Sequence, residues 1–335
     1  MRILGIETSC DETAAAVVEN GRQVIAEAVY SQIPQHAFYG GVVPEVAARA
    51  HAAKLPVIVP QVLEEAGGSI DAVAVTYGPG LVGALVTGIA FAKGLAYALQ
   101  RPLIGVDHIA GHIASLYLSH RSLRPPFVCL VASGGHTEIV QVLSHDTMQI
   151  LGTTRDDAAG EAIDKVARRL GLPYPGGPHL EELAEHGHAD AYDVPQSFRG
   201  QDHLDFSFSG PKTAVVHLLE NIGDTEAVRA DVAASFLESV VEVLTANTAK
   251  ACRETGVHKV CLAGGVSANH QLRKAMQQMA DREGLQLFLP DPKYCGDNGA
   301  MIASAAYFAP AGPTGRPLFL NADPGADLDE YRHQD

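Results

Sequence analysis

Cysteine is scarce and ill-placed in this 335-residue chain: the five thiols, Cys10, Cys129, Cys252, Cys261 and Cys295, are odd in number and none sits in a C-x-x-C pair. That disfavours both a disulfide framework and a thiolate zinc site, and leaves reduced packing residues. Positive charge is also short. Lys and Arg total 24 against 39 Asp and Glu, a net charge of −15, which speaks against an unaided, nonspecific grip on nucleic acid, because phosphate neutralisation needs clustered cations. Any nucleic-acid substrate then needs local patches or partners. There is no charge-free run long enough to span a bilayer, and Met1 leads straight into strand residues rather than a basic region and an apolar core. The expectation is a cytoplasmic protein without membrane attachment.

What is present suits a compact globule with two cores, at 47% hydrophobic and 19% charged residues. One unit also occurs twice. Arg2-Ile-Leu-Gly-Ile-Glu-Thr-Ser-Cys-Asp-Glu-Thr13 followed by apolar 14–18 reads as strand, polar turn, strand; Phe127-Val-Cys-Leu-Val-Ala-Ser-Gly-Gly-His-Thr137 followed by 139–143 repeats it. In both turns Ser, Thr and Gly let backbone N–H groups approach phosphate oxygens. A third strand with a Gly-rich end, Lys259-Val-Cys-Leu-Ala-Gly-Gly-Val-Ser-Ala-Asn269, leads into a helix whose N-terminus is a further anion or adenosine site. Singly, each Gly pair is an ordinary strand-to-helix turn; their joint order points to a nucleotide held by two similar halves.

Strand patterns at 3–6, 14–18, 24–30 and 72–76, and helical spacing at 44–66, 81–99, 108–119, 161–170, 224–255, 267–283 and 298–306, define an α/β protein. The Pro-Pro loop 121–126 marks a boundary, giving a first half of 1–124 plus 298–335 and a second of 125–297. Residues 173–205, rich in Gly, Pro and His, read as an inserted lid or an ordinary surface loop, and the acidic tail 318–335 as peripheral. His36, Glu45, Arg49 and His51 read as the solvated face of an amphipathic helix entrance.

Asp107-His108-Ile-Ala-Gly-His112 places two imidazoles four apart, on one helix face and within reach of one metal ion. The spacing is that of the zinc-protease helix H-E-x-x-H, but Ile109 stands where the general base should be. The bland alternative is a pair of histidines that cap or line a helix. Asp297 opens a late helix, as a third ligand or as its N-cap. Glu12, in the first turn, is either a catalytic base or orienting group for an amine nucleophile, or a plain turn residue.

The ordered set GIETSCDET (5–13), YGGVVPE (39–45), GPGLVGAL (78–85), HIAGH (108–112), SGGHT (133–137), DDAAGEAIDK (156–165), YPGGP (174–178), FSFSG (206–210), GGVSAN (264–269) and DNGAM (297–301) resembles the bacterial tRNA adenosine threonylcarbamoyltransferase family, once described as glycoprotease-like. The resemblance implies a duplicated actin/hexokinase/Hsp70-like fold with a ligand in the interdomain cleft. It implies transfer of a threonylcarbamoyl group from threonylcarbamoyl-AMP to N6 of the adenosine beside the anticodon, in tRNAs reading codons that begin with A, with release of AMP. By the same resemblance one divalent ion, iron before zinc, is held by His108, His112 and Asp297. The adenylate falls to Val131, Ala132, Ser133, Gly134, Gly135, Asp164, Gly177 and Asn269. The implied partners are tRNA, a catalytically inactive paralogue forming a heterodimer, and a small ATPase.

Three other readings compete. A small-molecule kinase of the same fold requires a catalytic Asp at the start of the second half, where the chain reads Ala132-Ser-Gly-Gly-His136. A metalloprotease lacks its Glu. A noncatalytic scaffold suits the acidic charge, with helical residues 44–63 as contact surface.

Overall fold

The computed structural model describes residues 1–198, 200–222, 225–308 and 319–328. They form two compact units: Met1–Pro125 with Leu143–Gln149 and Pro290–Asp335, and Pro126–Val142 with Ile150–Leu289. The chain thus returns to the first unit at Pro290 rather than at 298, and Asp297 belongs with the two histidines. Local contacts explain the difference. Asp291 N–H donates to Ser119 Oγ at 2.9 Å, and His145 in the 143–149 turn packs on Tyr117 and Phe308 with ring centroids 5.0 and 4.5 Å away.

The first unit runs β1 (Arg2–Glu7), β2 (Glu12–Glu19), β3 (Gln23–Ser31), α1 (Ile33–Ala37), α2 (Pro44–Glu65), β4 (Ala72–Gly78), α3 (Val82–Leu99), β5 (Leu103–Asp107) and α4 (His108–Ser119). The second holds β6 (Phe127–Ala132), β7 (Thr137–Ser144), β8 (Thr147–Thr153), α5 (Ala159–Arg169), α6 (Gly176–Ala184), α7 (Ser209–Ile222), α8 (Glu226–Thr255), β9 (Lys259–Ala263), α9 (His270–Glu283) and β10 (Gln286–Phe288). The final described helix, α10 (Gly299–Phe308), belongs to the first unit.

The two sheets share one topology. Their strand orders are β3-β2-β1-β4-β5 and β8-β7-β6-β9-β10, with β1 and β6 antiparallel to the next strand in sequence and parallel to β4 and β9 on the other side. Central strands such as Ala72–Gly78 and Phe127–Ala132 are buried throughout, as strands covered on both faces must be. Each fully buried Val, Leu or Phe there contributes about 1.5–3 kcal/mol.

Glycine sets how closely α10 lies on the first sheet. A Cβ on Gly5 would run into the Gly299 carbonyl, and one on Gly299 into the Ala15 backbone. Close approach at both residues is what carries the segment before α10 to the end of β1. Helix α3 is long and apolar enough, by length and composition, to cross a membrane. It carries Lys93 and packs Ala84, Leu85, Ile89, Ala92 and Ala96 against its neighbours in this unit.

Several expectations are corrected. His36 and His51 do not lie on a solvated face: both are 0% exposed, His51 Nδ1 sits 2.8 Å from Thr13 Oγ1 and Nε2 3.0 Å from the Cys10 carbonyl, and His36 Nε2 lies 3.1 Å from Gln32 Oε1. Only Glu45 and Arg49 form an exposed pair, at 2.6 Å. The segment 173–205 contains α6, and α7 follows it directly. Of the tail 318–335, residues 319–328 are described and are not peripheral, since Leu320 and Leu328 are buried and Asp323 N–H donates to the Tyr77 carbonyl at 2.8 Å; residues 318 and 329–335 lie outside the described residues.

Candidate metal and nucleotide sites

β5 ends at Asp107, whose Oδ1 accepts from Ile109 N–H at 2.8 Å and Ala110 N–H at 2.9 Å. This cap starts α4 at His108, so His112 falls one turn on, with the two ring centroids 4.6 Å apart. From the start of α10, Asp297 brings Oδ1 to 3.1 Å from His112 Nε2 and 3.6 Å from His108 Nε2. One ligand atom from each of the three lies within 4.8 Å of the others. Asp297 is not the cap of α10. Asn298 takes that role, its Oδ1 accepting from Met301 N–H at 2.8 Å.

His112 supplies the test of whether an ion fits. It is fully buried, and among the described residues neither ring nitrogen has a hydrogen-bond partner, since Nε2 is near Asp297 but not aligned for one. An unsatisfied buried imidazole costs free energy that a bound cation offsets. Two neutral imidazoles and one carboxylate also leave open coordination positions, as in catalytic sites. The donor set fits a divalent ion.

Behind His108 stands a residue that pattern reading passed over. Glu7, the last residue of β1, is 0% exposed, and its Oε2 lies 3.0 Å from His108 Nδ1. Burial alone would raise the Glu7 carboxyl, but His108 and the Thr76 hydroxyl hold it below its ordinary value. His108 moves the other way: burial opposes its charge, yet Asp297 and Glu7 push it up to about 9. The signal available in sequence was a lone acid ending an apolar strand.

Glu12 opens β2, half-buried, with Ser31 Oγ donating to its Oε1 at 3.2 Å. Burial first, then Asp11 and Asp297, raise its carboxyl far above the carboxylate range.

The nucleotide candidates all fall in the second unit, linked in a ring. Gly160 N–H donates to the Ser133 carbonyl at 3.2 Å, Asp164 Oδ1 accepts from Gly176 N–H at 2.7 Å, Glu181 Oε1 accepts from His270 N–H at 2.6 Å, and Gly264 packs on the Ala132 backbone. Among the described residues, Gly134 and Gly135 have no atom within 4 Å of where a Cβ would be, and Gly177 only Ile163 at 3.9 Å. Not every candidate faces that space. Val131 and Ala132 are 0% exposed and serve as strand core, while Ser133 N–H is committed to the His136 carbonyl at 2.8 Å. The start of α9 is no anion site either: its first amides go to Glu181 and to Asn269 Oδ1, which takes Leu272 N–H at 2.8 Å. Among the described residues, the N–H groups of Gly134 and Gly135 and the Asn269 amide nitrogen remain.

This duplicated fold defines the class. The chain resembles HypF of T. kodakarensis with a TM-score of 0.63 at 16% identity, over 91% of this chain and 47% of that one. It resembles a ROK family glucokinase from Streptomyces griseus with a TM-score of 0.50 at 12% identity, over 92% and 99%. It is an α/β protein of the actin/hexokinase/Hsp70 type. Within that class the sequence is decisive, because the model of the tRNA N6-adenosine threonylcarbamoyltransferase family matches residues 23–304. The chain is 52% identical over 336 residues to the tRNA N6-adenosine threonylcarbamoyltransferase of Clostridium novyi, with 98% of each covered. The chain belongs to this family.

Proposed function

We propose that the protein transfers a threonylcarbamoyl group from threonylcarbamoyl-AMP to N6 of the adenosine beside the anticodon of tRNAs reading codons that begin with A. The N6–carbonyl bond forms, the bond from carbonyl carbon to phosphate oxygen breaks, AMP leaves, and N6 gives up one proton. The observation that carries the reading is the trio of two buried histidines, His108 and His112, with half-buried Asp297 and an unsatisfied imidazole, in a chain of this family. A divalent ion held there, iron before zinc, would act as a Lewis acid on the acyl group.

The chain's own residues do the rest. Gly134 and Gly135 N–H groups receive the phosphate, whose oxygens can come close because nothing projects from either Cα. Asp164, anchored by Gly176, accepts from ribose hydroxyls; Gly177 leaves room beside it; the Asn269 NH2 meets the nucleotide while its oxygen holds α9. Val131 and Ala132 hold the loop from within the sheet. Glu12, its Oε1 held by Ser31, is the base or orienting group for the N6 amine. We place the activity in the cytoplasm, with the inactive paralogue and the small ATPase as partners that offset the chain's poor grip on tRNA.

Transfer of labelled threonine into an A-decoding tRNA by the reconstituted system tests this, with His108→Ala and Asp297→Ala alongside. Both variants are expected to lose transfer. Undiminished transfer by both would remove the ion from the reaction.

A further inference from the structure

We infer that Glu7 is a positioning residue for the ion site, fixing His108 with its proton on Nδ1 and its lone pair on Nε2. This rests on the metal reading of His108, His112 and Asp297 above.

β1 reads RILGIE and β4 AVAVTYG, buried almost end to end, and they pair in parallel with Ile6 opposite Val75. Just beyond that pair each strand carries a polar residue, Glu7 and Thr76, both 0% exposed. Polar residues at core positions of a buried sheet run against the local rule, and such departures mark function or demand partners. Here they are partners. Thr76 Oγ1 donates to Glu7 Oε2 at 2.6 Å, and Ser9 N–H, in the turn after β1, donates to Glu7 Oε1.

Those donors settle the His108 tautomer. A carboxylate accepts only, so the hydrogen in the 3.0 Å contact between Glu7 Oε2 and His108 Nδ1 comes from the ring. Ser9 Oγ, 3.2 Å from the same nitrogen, shares that proton as a second acceptor. Once the second proton is lost, as a bound ion would require, the lone pair is on Nε2, the atom that faces Asp297 at 3.6 Å. A carboxylate behind a ligating imidazole orients the ring and raises its basicity.

Co2+ binding to the full-length protein, measured by chelator competition and by its visible absorption, tests the assignment with Glu7→Gln, Thr76→Val and His112→Ala. Glu7→Gln keeps the size but puts an NH2 group against the N–H donors. It is expected to weaken Co2+ binding about 10- to 100-fold, the usual effect of losing an outer-sphere partner, and to shift the absorption bands. Thr76→Val leaves Glu7 in place and is expected to weaken binding less, by at least about twofold.

Wild-type protein that takes up no Co2+, or that keeps it equally in His112→Ala, overturns the metal reading itself. If the wild type binds one ion and His112→Ala loses it, while Glu7→Gln matches wild-type affinity and spectrum, the Glu7 assignment alone falls. If Glu7→Gln loses its circular dichroism signature of folding, Thr76→Val decides, and unchanged Co2+ affinity in that folded variant overturns the assignment.

Discussion

Asp297 Oδ1 stands 3.1 Å from His112 Nε2, although one residue precedes the final described helix and the other lies in α4. The contact depends on α10 packing along α4, where a Cβ on Gly111 would come within 2.8 Å of Ile302, and Ser304 Oγ donates to the Ala114 carbonyl at 3.2 Å. Protein purified without chelator or a histidine tag is expected to carry one divalent ion per chain. His112→Ala and Asp297→Ala are each expected to carry less than about a tenth of that, because a three-ligand site loses most of its affinity with any one ligand. Metal analysis by mass spectrometry checks it, and equal metal in wild type and both variants contradicts it.

Asp107 makes stability depend on pH in the less common direction. Burial pushes its carboxyl up to about 7, against the Ala110 and Ile109 N–H groups that favour its charge. In the unfolded chain it titrates near 3.9, roughly the model-peptide value. The folded state therefore binds the proton more tightly, and stability from this group is lost as pH rises from about 4 through about 7. Asn caps a helix as well as Asp does and carries no charge. The urea midpoint of ion-free Asp107→Asn, relative to wild type, should accordingly rise between pH 5 and pH 8; a gap that stays constant across this range excludes the linkage.

How far the sequence foretold these sites follows from where their atoms come from. Helix α4 was legible to the residue because Asp107 caps it locally, and the hairpins β1-β2 and β6-β7 because each repeats strand, turn, strand within a short span, whereas β5, β8 and β10 carry no such local signal. The Glu7 contact was not, since it joins residues from strand and helix whose pairing only the parallel order β1-β4-β5 creates. The helix α9 anion site failed for the same reason: Glu181, from α6, reaches its amides across the fold. Burial of His36 and His51 depended on Thr13, Gln32 and the Cys10 carbonyl, none of which a helical pattern can reveal.

Two glycines in the second unit separate folding from ligand binding. Gly264 has a φ of +86° and a Cβ there would strike the Ala132 carbonyl, so Gly264→Ala is expected to destabilise by about 2–4 kcal/mol through strain and overlap. Gly134 has open space around it. Gly134→Ala should melt within about 2 °C of wild type, as surface changes do, yet bind AMP more weakly because its methyl occupies the phosphate's approach. Thermal melts with AMP titration distinguish the two, and an unaltered AMP affinity in Gly134→Ala counts against the phosphate assignment.

Asp157 supplies an acid-side counterpart to Asp107. It receives Lys165 Nζ at 2.8 Å and a close contact from Lys212 Nζ, tying the loop before α5 to α5 itself and to α7. Burial alone would raise its carboxyl, but the two ammonium groups hold it below the ordinary value. Its folded value thus lies under the unfolded one of about 3.9. The stabilisation is present above that pH and disappears as pH falls through the folded value. Both lysines are partly exposed, at 38% and 25% for their side chains, so solvent screening limits the effect to about 1 kcal/mol. Asp157→Asn should lower the denaturation midpoint at pH 7, with the deficit closing below about pH 4 as the wild-type carboxyl takes its proton. Salt at 1 M should narrow the pH 7 deficit as well, because the Debye length falls to about 3 Å; a deficit that ignores both acid and salt would mean that Asp157 acts through packing rather than charge.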